Sequence, residues 1–475
     1  MRKRLLMLAL ALPLGCATLR RPGSLEGWRE LSSQHFVLQT ELQDAAAREL
    51  IISLERYRAA VLLALGVELK HSPRLKVVAF ESPWQLTELG FAPGVGGVLR
   101  HTPAPVMALV PASAISTLPM GITQAHELAH YFAAFVFPRQ PAWFAEGLAE
   151  YLATISVSAD GREAILGRPN LLRLDHARFP LPLDTLWSWR PRAESGSDQS
   201  ERARGYASSW LWVHFLLNAH GDRFEAFMKA MASGVEPRLA FDRAFAGVSR
   251  ASLDTHVADY VKRTQQYQVF RYGIPAIRSE VAVRSMSAQE ALWAKFEVSI
   301  SRAADVALGE EARRRVPGSP EALLIAASLA QGDAGLSTRL YREAFTRYGD
   351  DPRVAIEAAS HARLFPPDER ERISVWALEL APYDARAVLA RVQVLLESSR
   401  AAEAVPLVRD LVRLAPSSSG AMGSGSAVLA SVGQCDDAAT LADRARAALP
   451  ERLPEQQRTE FLAKLQRPIE ACRSR

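Results

Sequence analysis

Cysteine is scarce, with three residues in a chain of 475. So few thiols cannot build a disulfide-dense scaffold or a four-cysteine zinc cage. A long apolar run is also missing near the N-terminus: Leu5 to Leu14 is only ten residues, where a helix needs about 20 to cross a bilayer. Strong charge of one sign is absent too. The formal net charge is +5, and removing residues 1–15 deletes Arg2, Lys3 and Arg4 with no acid, leaving +2. That balance gives no argument for nucleic acid or for an acidic partner. The remainder is ordinary globular material, 48% hydrophobic and 23% charged, long enough for two or three domains.

The basic head Met1 to Arg4, the short apolar run and Gly15-Cys16 form a signal peptide. With cysteine following the small Gly15, the segment resembles a bacterial lipoprotein signal, which implies cleavage before Cys16 and lipidation of that residue. The other reading is a secretory signal with an incidental cysteine. Both export the chain, and the first ties it to a membrane of the cell envelope. In an oxidising compartment Cys435 and Cys472 are then either a disulfide or two separate buried thiols.

The chemistry concentrates between Gln124 and Tyr151. Ile122 to Phe135 lacks proline and glycine and places Leu128, Phe132 and Phe135 on one apolar side, which predicts a helix. Residues four apart on a helix differ by roughly 40° about its axis, so His126 and His130 share a face and can hold one metal ion. Glu127 lies beside them, where a carboxylate can take a proton from water without occupying the metal. Pro138 and Pro141 force a turn, and Ala142 to Leu152 reads as a second helix returning against the first. Glu146 can then be a third ligand, leaving a fourth position open, as in catalytic zinc sites. Glu150, one turn further on, can accept from the far ring nitrogen of a ligand histidine.

His126-Glu127-Leu128-Ala129-His130 followed by Glu146-Gly147-Leu148-Ala149-Glu150-Tyr151 resembles the gluzincin metallopeptidases, in particular the thermolysin-like domain of aminopeptidase N relatives and the peptidase MA-like domains. The resemblance spans about residues 28 to 265. It implies an α+β zincin-like fold, Zn2+ held by His126, His130 and Glu146, Glu127 as general base, and a peptide or protein substrate. It further implies that Tyr206, in the helix expected to open at Gly205, stabilises the oxyanion; a tyrosine merely packed under the helix is the other reading, and His214 is a second candidate for the role. By the same resemblance an edge strand beside the metal helix would hold extended substrate. Pro105 to Val110 is the candidate, with an ordinary core strand the alternative. The Gly-Ala-Met-Glu-Asn element that anchors a free amine in aminopeptidase N relatives does not precede His126, so an endopeptidase, or a hydrolase of cell-wall peptide, fits as well.

Around this centre, Trp28 to Leu31, His35 to Thr40 and Leu75 to Phe80 read as strands, and Asp44 to Leu65 and Pro83 to Leu89 as helices. Asp160 to Arg204 reads as a basic, loop-like stretch interrupted by Leu183 to Trp189. From about residue 285 the composition turns to alanine, leucine, arginine and glutamate. Leu380-Ala381-Pro382, Leu414-Ala415-Pro416 and Ala448-Leu449-Pro450 recur every 34 residues, as do Ala404 and Ala438. Val316-Pro317 and Asp351-Pro352 suggest earlier copies, with a slip of phase before Pro382. This resembles tetratricopeptide repeats and implies an all-α solenoid able to bind a protein partner; an irregular helical bundle is the alternative. The expected organisation is a signal at 1–15, a tether at 16–27, a peptidase domain at 28–275 and a helical domain at 285–475. A contrasting expectation is an inactive or weakly active envelope adaptor that uses only the helical part.

Overall fold

The structure, a computed structural model, describes residues 25–69, 72–93, 95–100, 103–111, 121–190, 199–263, 267–277, 280–449 and 454–474. The signal segment and Cys16 lie outside them. The N-terminal elements are β1 (Arg29–Ser32), β2 (Phe36–Thr40), α1 (Asp44–Ala64), β3 (Leu75–Ala79), α2 (Pro83–Glu88), β4 (Gly97–Arg100), β5 (Val106–Leu109), α3 (Ile122–Val136) and α4 (Ala142–Leu152). There follow β6 (Ser156–Val157), β7 (Glu163–Leu166), α5 (Leu183–Ser188), α6 (Gln199–Ala219), α7 (Gly221–Ala232), α8 (Pro237–Ala244), α9 (Arg250–Tyr260), β8 (Phe270–Gly273) and β9 (Ala282–Ser285). The remainder is helical: α10 (Ala288–Val298), α11 (Arg302–Arg315), α12 (Pro320–Leu329), α13 (Ala334–Tyr348), α14 (Pro352–Ser360), α15 (Pro367–Leu380), α16 (Ala385–Glu397), α17 (Ala401–Leu414), α18 (Ser419–Ser431), α19 (Cys435–Ala447) and α20 (Glu455–Arg473). The fold is mixed α+β with a small sheet. Among the described residues no helix is long and apolar enough to cross a membrane.

Six strands form the main sheet in the order β4-β5-β3-β2-β1-β9. Parallel neighbours need a crossover, and α1 supplies it between β2 and β3. The central strands are apolar on both faces because both faces are covered. Val77, Met107 and Leu109 point into a core shared with α1, α3, α4 and α6. Their neighbours Val78, Val106 and Ala108 point the other way, into a core built with α10 to α15.

The edge differs from the expected one. β5 pairs with β3 on one side and β4 on the other, so Pro105 to Val110 supplies an interior strand. All four residues of β5 are buried, whereas β4 alternates buried and half-buried positions on its two faces. Among the described residues the end strands of the sheet are β4 and β9, and β4 runs beside α3. β6, β7 and β8 form a separate sheet, and β7 stands inside the Asp160 to Arg204 stretch that the sequence suggested was loop-like.

The helical region does not stand apart from the sheet. β9, fully exposed, pairs with β1, and α10 lies across the second face. Lys76 meets Glu297 at 2.8 Å, and Arg100 Nη1 donates to Ser299 O at 3.1 Å. Beyond α10, successive helices pack against each other. Ser319, Asp351, Asp384 and Ser418 cap α12, α14, α16 and α18 by accepting backbone N–H bonds. Those caps also explain the phase slip. Pro317, Pro382 and Pro416 each stand two residues before a cap, whereas Pro352 is the first residue of its helix.

Ala404 and Ala438 are fully buried in α17 and α19. Ser419 to Ser426, rich in serine and glycine, forms the first half of α18. A Cβ at Gly425 would already touch Val408 and Leu441 at 3.0 and 3.1 Å, so small residues let α18 nest against its neighbours. Cys435 and Cys472 form a disulfide joining α19 to α20.

Candidate metal centre

Three elements bring the cluster together. α3 buries Leu128 and Phe132, and α4 buries Trp143, Phe144 and Leu148, all in the core under the sheet. Tyr57 of α1 donates through its hydroxyl to Ala125 O at 2.8 Å and Leu152 O at 3.3 Å, stitching the two helices together. Gln124 Nε2 donates to the carbonyls of Val110 and, at 3.3 Å, Gly96, fixing the start of α3 to the sheet edge. α6 packs on α4 at a glycine: a Cβ on Gly147 would lie 2.2 Å from Ser209 O.

On this frame His126 Nε2 and His130 Nε2 are 3.0 Å apart, and each is 3.2 Å from Glu146 Oε2. Ligands around a tetrahedral ion with bonds of 2.0–2.1 Å are separated by about 3.3 Å. The three donor atoms thus have the mutual spacing of a metal half-shell, and this group can hold a metal ion. Glu127 lies outside it. Its Oε2 accepts from Leu99 N of the β4 edge at 3.3 Å, and burial raises its pKa above the ordinary carboxylate value despite the opposing pull of His130.

Behind the ligands, His126 Nδ1 is buried without a well-formed hydrogen bond and faces Glu150 Oε1 at 3.4 Å, the contact anticipated for Glu150. Both oxygens of Glu150 have donors that sequence reasoning missed: Arg173 Nη2 at 2.5 Å on Oε1 and Asn170 Nδ2 at 2.8 Å on Oε2. Both donors come from the turn-rich stretch after β7, where no periodicity signals a role.

Tyr206 is half-buried on α6. That helix begins at Gln199 rather than Gly205, so Tyr206 lies about two turns inside it. The Arg173 guanidinium sits over its ring at 5.4 Å, and Trp189 meets the ring edge-on. His214 does not join the site. It is fully buried, its Nε2 paired with Gly167 O at 3.1 Å and its Nδ1 with the Tyr260 hydroxyl at 2.8 Å, and burial lowers its pKa.

Charges in the cluster are strongly coupled. Burial alone would lower the pKa of His130, but the Glu146 carboxylate overrides it and raises the value to about 9. Burial pushes Glu146 up, and the two imidazoles outweigh it, holding the carboxyl well below the usual range. A histidine at about 9 when folded and 6.5 when unfolded adds stability that is complete below pH 6.5 and lost as pH rises through 9. The metal-free protein should therefore lose on the order of 3 kcal/mol across that interval. A divalent metal must displace the same proton, so its affinity should rise roughly tenfold per pH unit over the same range. Melting curves with and without metal check both, and a gap between them that fails to widen with pH would contradict the pairing.

No protein-family model and no curated protein sequence matches this chain.

Proposed function

We propose that the chain is a zinc-dependent peptide hydrolase of the gluzincin type, exported and held at a membrane through Cys16. The observation that carries this reading is the convergence of His126, His130 and Glu146 within 3.0–3.2 Å of one another, with Glu127 adjacent yet outside the set. Two imidazoles and a carboxylate accept several divalent ions; three protein ligands with an open position are the pattern of catalytic zinc. Bound zinc would supply a Lewis acid and lower the pKa of its water to about 7. Glu127 takes a proton from the attacking water and returns it to the departing amine, a role suited to a carboxylate whose proton affinity burial has raised. Tyr206 donates to the oxygen of the tetrahedral intermediate, where one such donor contributes about 2.7–4 kcal/mol.

The free edge of β4 is the strand on which an extended substrate would pair by main-chain hydrogen bonds. The stacked helices beyond α10, capped at intervals of 32 to 34 residues, fit a tetratricopeptide-like solenoid, which supports a role in engaging a protein partner or the substrate itself. The disulfide between Cys435 and Cys472 supports an oxidising compartment.

The purified mature chain should contain one zinc, cleave unfolded casein, lose cleavage to a chelator and regain it on zinc addition. Zinc without cleavage would favour the adaptor reading, and absence of bound zinc would overturn the metal centre.

A further inference from the structure

Glu150 is held on all sides. It is 2% exposed, its Oε2 accepts from Asn170 Nδ2 at 2.8 Å, and its Oε1 accepts from Arg173 Nη2 at 2.5 Å while facing His126 Nδ1 at 3.4 Å. Two donors on separate oxygens fix the plane of a carboxylate that one donor would leave free to swing. Asn170 and Arg173 come from one short stretch of chain. Asn170 also accepts from Leu172 N at 3.1 Å, which sets the turn carrying Arg173. Arg173 has a second contact, since its guanidinium carbon lies 5.4 Å from the centre of the Tyr206 ring, within reach of a cation–π attraction.

We propose that Arg173 and Asn170 are positioning residues: together they set the Glu150 carboxylate that orients His126, and Arg173 also holds the Tyr206 ring, so that one loop ties metal affinity to the placement of the oxyanion donor. This inference rests on the zinc hydrolase reading above. The asymmetry between the two residues makes it specific. Arg173 lies against the Tyr206 ring directly, whereas Asn170 bears on that ring through the turn it sets. A side chain that served only to stabilise the fold would not divide its effects in that way.

The test uses the full mature chain, with zinc affinity read by competition against a chromogenic chelator, folding by circular dichroism, and kcat measured at saturating zinc. Asn170→Ala should weaken zinc binding about tenfold and lower kcat of the zinc-loaded protein less than Arg173→Ala does. Arg173→Ala should weaken zinc binding roughly 10–100-fold and also lower kcat. Arg178→Ala, an exposed arginine of the same loop paired with Asp175, should change neither. Wild-type zinc affinity in folded Arg173→Ala or Asn170→Ala, in a protein that still cleaves casein, overturns this inference alone. If Arg173→Ala does not fold, unchanged affinity in Asn170→Ala overturns it by itself. A wild-type chain that binds no zinc overturns the hydrolase reading and this inference together.

Discussion

Replacing Glu127 by glutamine is expected to lower kcat on unfolded casein by about 10³-fold, within the 10²–10⁴ range of general base catalysis, while zinc content stays at the wild-type level. Glutamine is nearly isosteric, and its amide oxygen can still accept from Leu99 N, the bond that holds the native carboxylate against β4. It cannot take up a proton. Because Glu127 stands outside the three-atom cluster, its replacement leaves every ligand in place. His130→Ala removes a ligand that lies 3.0 Å from His126 Nε2 and 3.2 Å from Glu146 Oε2, and should abolish zinc retention and turnover together. Metal analysis beside initial rates separates the two variants. Cleavage that persists in Glu127→Gln would sink the proposed mechanism.

The second large effect is on stability. Alanine is a better helix former than glycine by about 1 kcal/mol, so on propensity Gly147→Ala should stabilise α4. Packing decides otherwise. The added Cβ would sit 2.2 Å from the Ser209 carbonyl oxygen, 2.7 Å from its carbonyl carbon and 2.8 Å from Val213 Cγ2. Two of those atoms belong to the α6 backbone and cannot rotate away, so the helices must part. Overpacking of this kind costs about 1–3 kcal/mol and at times more, and here it also moves the turn of α4 that carries Glu146 and Glu150. A lowered melting temperature together with weakened zinc binding is the expected outcome; a variant as stable as wild type would show that α4 and α6 are not in this contact.

Much of the candidate metal centre is local in sequence, and so it was legible. His126, Glu127 and His130 lie within one and a half turns of one helix, Pro138 and Pro141 mark its end, and α4 runs over the residues expected, Ala142–Leu152. What could not be read depends on partners distant along the chain. β9 is exposed throughout and shows no apolar alternation, yet it completes the sheet by pairing with β1 some 250 residues earlier. β6 has only two residues, too few for any pattern. The start of α6 was misplaced because Gln199 to Arg204 carries polar side chains suited to helix as much as to loop. Arg173 and Asn170 were invisible for a related reason: an arginine and an asparagine in a polar turn look solvated until the buried carboxylate they meet is in view.

The two-sided sheet has a consequence for how this molecule can be cut. Val78, Phe80, Val106 and Ala108 share their core with α10 to α15 of the C-terminal half, and the terminal rib of the sheet is donated from beyond residue 280. A gene fragment trimmed to the half that carries His126, His130 and Glu146 would be born with a partly bare apolar flank and an unguarded margin, prone to clump. The halves are therefore not interchangeable modules, and grafting or shuffling them must carry the seam along.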